Sequence, residues 1–379
     1  MDKYVRYRYN ATVQNDKVMT EMATEISRKG TVRSMLDILK SIGQTVAALF
    51  VMMLMVVPLA SCIDEDELDD SPRGNFEALW KIIDQRYCFF DYKKEVYGLD
   101  WNEVYARYSK MVDDGMTEDQ LFEVLGNMLG ELRDGHVNLY ASFNTARNWS
   151  WRENYPQNYS DTLERRYLGT DYLLASGLKY KRLDDNVGYI RCSSFENTIG
   201  DGNLDEVMLY MAPCNALIID VRNNGGGQLT MAQKLAARFT NSDILVGYMR
   251  HKTGTGHNDF SSLEEQWLKP SKGIRWQKNV YVLTNRSVYS AANDFILCMK
   301  CCPKATIIGD KTGGGAGLPF SSEIPNGWSV RFSACPMYDK DKNDVEFGIE
   351  PDYNVSLTDE DFAKGVDTII EYACALSRQ

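Results

Sequence analysis

From Asn186 onward the sequence alternates between short apolar runs and amphipathic segments, which limits the folds open to the chain. The apolar runs are rich in β-branched residues and predict strands: VGYIRC, ALIIDVR, VYVLTN and ATIIGD. The segments between them have helical periodicity: LDEVMLYM, QLTMAQKLAARF and AANDFILCMK, with a last helix near 359–376. Strands that alternate with helices favour a mostly parallel sheet with right-handed crossovers. The sequence therefore predicts an α/β core over residues 186–379.

The residues before this core predict a small helical domain over 75–139. One helix is expected to begin after Asn75 as N-cap, a second covers about 101–112, and a third begins at Thr117, where Gln120 completes a capping box. Gly135 is placed where a left-handed residue would stop the third helix. Residues 140–185 are aromatic, polar and irregular, which indicates a connecting segment. It is too short for a typical PDZ module, so no PDZ domain is expected.

The N-terminal 61 residues are typical of a leader segment. Residues 45–61 read TVAALFVMMLMVVPLAS, with basic residues upstream and Cys62 directly after. A basic region, a short apolar run and small residues at its end favour a secretory signal over a spanning helix, although an uncleaved membrane anchor is the alternative. Because the upstream residues look unlike a signal, the true start is either Met1 or Met35.

The end of this apolar run, LASC, resembles the bacterial lipobox, in which the cysteine is acylated. That resemblance implies a lipid anchor at Cys62 that tethers the protein to a membrane. Residues 62–74 would then form an acidic tether, and its IDEDELDD tract resembles surface-export signals of some outer-membrane lipoproteins. The expected location is the cell envelope, on the outer membrane and facing the cell surface.

Charge and cysteine content exclude several classes of function. The 379 residues carry 42 basic and 53 acidic side chains, a formal charge of −11, which argues against a nucleic-acid partner. The nine cysteines are scattered and several lie within apolar runs, so they are interpreted as small buried apolar residues, with no metal site expected.

Unusual sequences follow three of the predicted strands. ALIIDVR runs into NNGGGQ, which is either a plain tight turn or an oxyanion-binding loop. VYVLTN runs through RSVYS into a helix, so Ser290 lies at a strand–turn–helix junction, either as an N-cap or as an exposed nucleophile. ATIIGD is followed by KTGGGAGLP. The carboxyl ends of parallel strands are where open α/β sheets bind ligands.

Five motifs in this order carry a family resemblance: DGH, LIIDVRNNGGG, VLTNRSVYSAA, IIGDKTGGG and FGIEPD. The chain resembles the C-terminal processing (tail-specific) peptidases and the tricorn core protease over about 121–355. The resemblance implies a ClpP/crotonase-like α/β fold and a serine-type peptidase that acts on peptides or proteins without a cofactor.

The resemblance also implies residue roles. Ser290 corresponds to the nucleophile, and the base is either a downstream lysine, for which only Lys311 is near, or the histidine of the DGH motif, His136. In the lysine branch of the family the base lies about 25 residues after the serine, which here is Gly315. Lys311 comes four residues before that position, so the tricorn-like Ser–His branch is favoured. A carboxylate is expected to orient His136, and Glu346 is preferred over its neighbours Asp344 and Glu350.

The remaining implied roles belong to backbone groups. The N–H of Gly225 or Gly226, together with that of Ala291, would form the oxyanion hole, and the loop of Gly313, Gly314 and Gly315 would line the substrate cleft. Two alternatives stay open: a non-catalytic ligand- or peptide-binding lipoprotein on the same fold, and a Ser290–Lys311 dyad.

Overall fold

The four strands predicted in the C-terminal half form the centre of a seven-stranded sheet. The computed structural model describes residues 69–379, together with Glu21 and Glu25; the leader and the expected lipidation site Cys62 lie outside them. The sheet has the order β13-β10-β9-β6-β5-β4-β3. Its strands are β3 (Leu173–Ala175), β4 (Leu178–Arg182), β5 (Val187–Cys192), β6 (Ala216–Asp220), β9 (Val280–Thr284), β10 (Ala305–Gly309) and β13 (Tyr353–Asn354).

Strands β5, β6, β9, β10 and β13 run parallel to one another, as predicted, whereas β3 and β4 are antiparallel additions at one edge. The core therefore begins before residue 186. The prediction missed these two strands because LLASGLKYKR alternates apolar and basic residues without a clear apolar run.

Helices cover both faces of this sheet, which explains why its central strands are buried throughout. Apolar residues of α6 (Asp201–Met211), α7 (Leu229–Ala236) and α8 (Ala291–Cys301) pack on one face. The final segment contains two helices, α9 (Asp359–Lys364) and α10 (Thr368–Ser377), and α10 packs on the other face. The break between them is Gly365, whose φ of 72° ends α9 in the left-handed region.

The helical N-terminal region contains α1 (Pro72–Arg86), α2 (Phe90–Tyr97), α3 (Trp101–Tyr108) and α4 (Glu118–Gly130), and α5 (Asp161–Leu168) follows later. The capping box of Thr117 and Gln120 is confirmed. The prediction of Asn75 as an N-cap was wrong: Ser71 caps α1, and Asn75 lies inside the helix, donating to backbone carbonyls.

A second sheet of six strands was not predicted. Its strands are β1 (Asn138–Tyr140), β2 (Thr145–Arg147), β7 (Ile244–Met249), β8 (Glu264–Leu268), β11 (Gly317–Glu323) and β12 (Ser329–Asp339). They pair in the order β2-β1-β12-β7-β8, with β11 on β12. The N-terminal helices bury their apolar faces against β12, so helices and sheet share one core.

No helix in the described ranges is long and apolar enough to span a membrane. The eight cysteines within 69–379 are unpaired, and all but Cys301 are buried, as predicted.

Candidate active site

Ser290 occupies a strained turn between β9 and α8. Its backbone has φ 57° and ψ −125°, a conformation that residues with side chains rarely adopt. Two backbone hydrogen bonds hold the turn: Ser290 N–H donates to the Gly314 carbonyl at 2.8 Å, and Asp294 N–H donates to the Ser290 carbonyl at 3.1 Å. A sharp strand-to-helix turn of this kind presents a serine hydroxyl at the top of a sheet.

His136 lies against this hydroxyl. Its Nε2 is 2.9 Å from Ser290 Oγ, and its backbone N–H donates to Asp134 Oδ1 at 2.7 Å. The ring sits in the loop between α4 and β1 and is 5% exposed. The two residues are thus brought from different sheets to hydrogen-bonding distance.

The DGH loop itself differs from the prediction. Helix α4 ends at Gly130, and the left-handed residue that follows is Arg133, with φ 46°, rather than Gly135. The lack of a side chain at Gly135 instead lets Trp151 and Tyr289 pack closely on the loop, because a Cβ there would lie 2.6 Å from Trp151 Nε1 and 2.9 Å from the Tyr289 hydroxyl oxygen.

Burial lowers the pKa of His136 to about 4. The Asp134 carboxylate raises this pKa, while the Arg331 guanidinium lowers it further. The Gly317 backbone also raises the pKa, but no group lies at hydrogen-bonding geometry to His136 Nδ1 among the described residues. His136 is therefore held neutral, the form that can accept a proton from Ser290.

Asp134 is buried and fixes the DGH loop through several hydrogen bonds. Besides the His136 amide, it accepts hydrogen bonds from Tyr87 Oη at 3.0 Å, Ser333 Oγ at 2.8 Å and Tyr289 Oη at 3.4 Å. Tyr289 directly precedes the serine, so one carboxylate connects both catalytic segments.

The predicted contact between Glu346 and His136 is not formed. Glu346 is buried, and its Oε2 accepts the Ala316 N–H at 2.8 Å while its Oε1 lies 3.5 Å from Lys93 Nζ. Burial, Asp134 and Asp344 raise the pKa of the Glu346 carboxyl well above its usual value. These two partners hold the side chain behind the serine turn, where sequence spacing alone could not place it.

Lys311, the alternative base, and the two remaining histidines form contacts with acidic side chains away from Ser290. Lys311 Nζ forms an ion pair with Glu350 Oε1 at 3.0 Å. His257 pairs with Asp84 at 2.8 Å, and His251 lies 3.4 Å from Glu264.

Gly226 lies directly behind the nucleophile. A Cβ on Gly226 would be 2.8 Å from Ser290 Cβ, and its φ of 104° belongs to glycine. However, its N–H donates to the Asn224 side chain at 2.9 Å, so it is not free for an oxyanion. Gly225 lines the cleft, and Ala291 begins α8, where the N–H groups of the first turn form the positive end of the helix dipole. The N–H groups that remain as candidates for the oxyanion hole are therefore those of Gly225 and Ala291.

The second glycine loop supports the serine more than it lines the cleft. Gly313 and Gly314 are buried; Gly313 N–H donates to the Val288 carbonyl at 2.7 Å, and Gly314 accepts from Ser290. The cleft role predicted for these two glycines is corrected accordingly. Gly315 does line a cavity beside the serine.

Two cavities meet at Ser290 and His136. The larger has a volume of about 1190 Å³ and is bounded by loop residues and α5. The smaller, about 390 Å³, is lined mostly by apolar residues, among them Leu229, Leu297 and Met337. Such a groove can hold an extended chain on both sides of the nucleophile.

Trp151 and Arg331 also border the site, and sequence reasoning missed both. The Trp151 ring stacks on Tyr289 at 4.3 Å between centroids. Arg331 lines both cavities. No local motif marks either residue, since each reaches the site only through sheet pairing or loop packing.

Comparison with known proteins agrees with this arrangement. Residues 186–355 match the model of peptidase family S41, and residues 68–130 match the tricorn protease C1 domain. A provisionally assigned peptidase of Parabacteroides merdae, known from a crystal structure, is 51% identical, with a TM-score of 0.77 over 82% of this chain and 97% of that one. The chain belongs to peptidase family S41.

More distant relatives add the fold and a partial sequence match. Mature CPAF has a TM-score of 0.62 at 12% identity over 81% of this chain and 96% of its own, which shows a shared fold alone. A provisionally assigned CtpA-like serine protease of Staphylococcus epidermidis is 26% identical over 49% of this chain. The match spans only 37% of that relative's length.

Proposed function

We propose that this S41 family member is a serine peptidase in which Ser290 is the nucleophile and His136 the general base. The observation that carries the proposal is the 2.9 Å separation of His136 Nε2 and Ser290 Oγ at a strained turn. Serine is a poor nucleophile until a base removes its proton, and a neutral imidazole at this distance can do so.

The reaction follows from these positions. His136 Nε2 takes the hydroxyl proton as Oγ attacks the peptide carbonyl, and the N–H groups of Gly225 and Ala291 stabilise the oxyanion. The imidazolium then donates its proton to the leaving amine, and a water activated by the same ring releases the acyl group. Asp134 raises the pKa of His136 and so stabilises the imidazolium without touching Nδ1.

A lysine base is less well supported. Lys311 is bound to Glu350, whereas His136 is at hydrogen-bonding distance from the serine. A non-catalytic binding protein would not need a neutral imidazole on a strained serine, so the peptidase reading is favoured over it.

Peptide hydrolysis by single variants tests this assignment. A synthetic peptide library is incubated with each purified protein, and cleavage is followed by mass spectrometry. Ser290→Ala should reduce cleavage to background, and His136→Gln should slow it by about 10²–10⁴-fold. Lys311→Met should cleave like wild type. Loss of cleavage in Lys311→Met alone would overturn the histidine assignment, and a wild type that cleaves no peptide would favour the binding-protein alternative.

We further propose that the protein is an outer-membrane lipoprotein anchored at Cys62 with the peptidase domain outside the cytoplasm. The support is the sequence pattern of residues 45–74. Metabolic labelling with a palmitate analogue should mark the wild type and not Cys62→Ser. Equal labelling of both proteins would reject the anchor, and digestion by protease added to intact cells tests surface exposure.

A further inference from the structure

Four arginines line the larger cavity at the catalytic pair: Arg147, Arg152, Arg165 and Arg331. None of them forms an ion pair with a carboxylate among residues 69–379. The cavity wall also contains two acids, Asp161 and Glu196, which leaves a positive excess in a chain whose formal charge is −11.

Three buried arginines elsewhere in the described residues are neutralised by carboxylates. Arg191 binds Glu164 at 2.7 Å, Arg222 lies between Asp220 and Asp367, and Arg238 pairs with two aspartates. In the cavity, Arg331 is half-buried and Arg147, Arg152 and Arg165 are exposed, so their unpaired charges face the cavity and the solvent. Unpaired positive groups gathered in a concave site attract anionic ligands.

Arg331 is the closest of the four to the chemistry. On β12 it is the register partner of Asn138 in β1, two residues after His136, and it borders both cavities. Its charge reaches the catalytic ring, because it lowers the pKa of His136. A carboxylate bound to Arg331 would lie beside the scissile bond.

Aromatic contacts hold two of the other arginines at the cavity wall. The guanidinium carbon of Arg152 lies 4.4 Å from the Trp149 ring centroid, and that of Arg147 lies 5.9 Å from the same ring. Stacked guanidinium groups keep their hydrogen-bonding edges free for a carboxylate.

We propose that the larger cavity is a subsite that selects peptide carboxylates next to the scissile bond, with the arginines as specificity-determining residues. The inference rests on the proposed peptidase function. The carboxylate we propose is that of an Asp or Glu side chain within the substrate.

Matched peptides test the preference. Peptides cleaved from the library are resynthesised with Glu→Gln or Asp→Asn changes and, separately, with an amidated carboxyl terminus. Removing the recognised carboxylate should lower kcat/KM by about tenfold or more, since hydrogen bonds to charged groups are strong. A loss that occurs only with the amidated carboxyl terminus would show recognition of the chain end instead and would overturn the side-chain subsite. Equal kcat/KM for charged and neutral peptides in both arms would overturn the proposal.

Variants identify the residues responsible. Arg331→Gln and Arg165→Gln should remove most of the preference for the charged peptide, which appears as a smaller ratio of kcat/KM between matched peptides. Arg166→Gln is the control, because Arg166 neighbours Arg165 on α5 and does not line the cavity. Retention of the full ratio in both cavity variants would contradict the assignment.

A fluorophosphonate probe, which carries no peptide carboxylate, separates this inference from the proposed function. If the probe labels Ser290 and peptides are cleaved without an acidic preference, only the subsite inference fails. If the probe does not label Ser290 and no peptide is cleaved, the peptidase function fails with it.

Discussion

The backbone of Ser290 is held in its strained conformation by a residue that packs closely against it. Gly226 supplies that packing, with its α-carbon against Ser290 and Ala291 and a φ of 104°. The geometry of the site thus depends on Gly226, which has no side chain, as well as on Ser290 and His136.

Gly226→Ala should lower peptidase activity strongly while the protein still folds. The new Cβ would lie 2.8 Å from Ser290 Cβ and 2.9 Å from Ala291 N, so the nucleophile and an oxyanion donor must shift. We expect a loss of about 10²-fold or more in peptide hydrolysis, the effect of losing one oxyanion donor. Gly202→Ala on α6 is the control, since its Cβ meets no atom within 4 Å; equal activity of the two variants would contradict the account.

The low pKa of His136 sets the acid limit of the reaction. The base works only when neutral, and its pKa is lowered from 6.5 to about 4, so activity should persist as the pH falls from 7 to 5 and decline near 4. Rates of fluorophosphonate labelling across this range measure the limit. An acid limb centred near 6.5 would show that the ring is not desolvated in the working enzyme.

Arg331→Gln should move that limb to higher pH. Arg331 lowers the pKa of His136, so its loss raises the pKa towards 6.5, and labelling at pH 5 should slow relative to labelling at pH 8. The small probe avoids any effect of Arg331 on peptide binding. An unchanged limb would mean that the guanidinium does not act on the ring.

At the scale of the elements, the end of β6 is tied to helix α10 by a buried ion network. Arg222 lies between Asp220 at 2.6 Å and Asp367 at 3.0 Å, and Asp367 also caps α10 by accepting from Ile369 and Ile370 N–H. The network fixes the strand from which the NNGGG loop departs.

Arg222→Met should destabilise the fold by about 3–5 kcal/mol, because two buried carboxylates lose their cation. Urea unfolding followed by fluorescence measures the change. Arg378→Ala removes a half-exposed pair with Asp185 and should cost less than about 1 kcal/mol. Similar losses of unfolding free energy in the two variants would show that the buried network stabilises the fold no more than an exposed ion pair does.

The elements that could be predicted from sequence are those whose signal is local. Each central strand of the large sheet is a continuous apolar run because helices cover both faces, and the serine junction and glycine loops follow directly from strand ends. The six-stranded sheet could not be predicted. Its long strand β12, SVRFSACPMYD, mixes polar and apolar residues because one part faces the N-terminal helices and another faces the active site.

At the scale of the whole molecule, the site forms where the two sheets meet. His136 precedes a strand of the six-stranded sheet, and Ser290 follows a strand of the seven-stranded sheet, 154 residues later. The order of the sequence motifs could indicate His136 and Ser290 as catalytic residues but could not give the distance between them. It misassigned the contact of Glu346, because Lys93 and the Ala316 amide, which bind that carboxylate, carry no sequence signal.

The most direct test of the account is covalent labelling of Ser290. The protein is treated with a fluorophosphonate, digested, and mapped by mass spectrometry, with His136→Gln and Lys311→Met treated in parallel. The account predicts one modified residue, Ser290, in wild type and Lys311→Met, and labelling slowed by about 10²-fold or more in His136→Gln. Labelling that is unaffected by His136→Gln, or that is lost only in Lys311→Met, would contradict it.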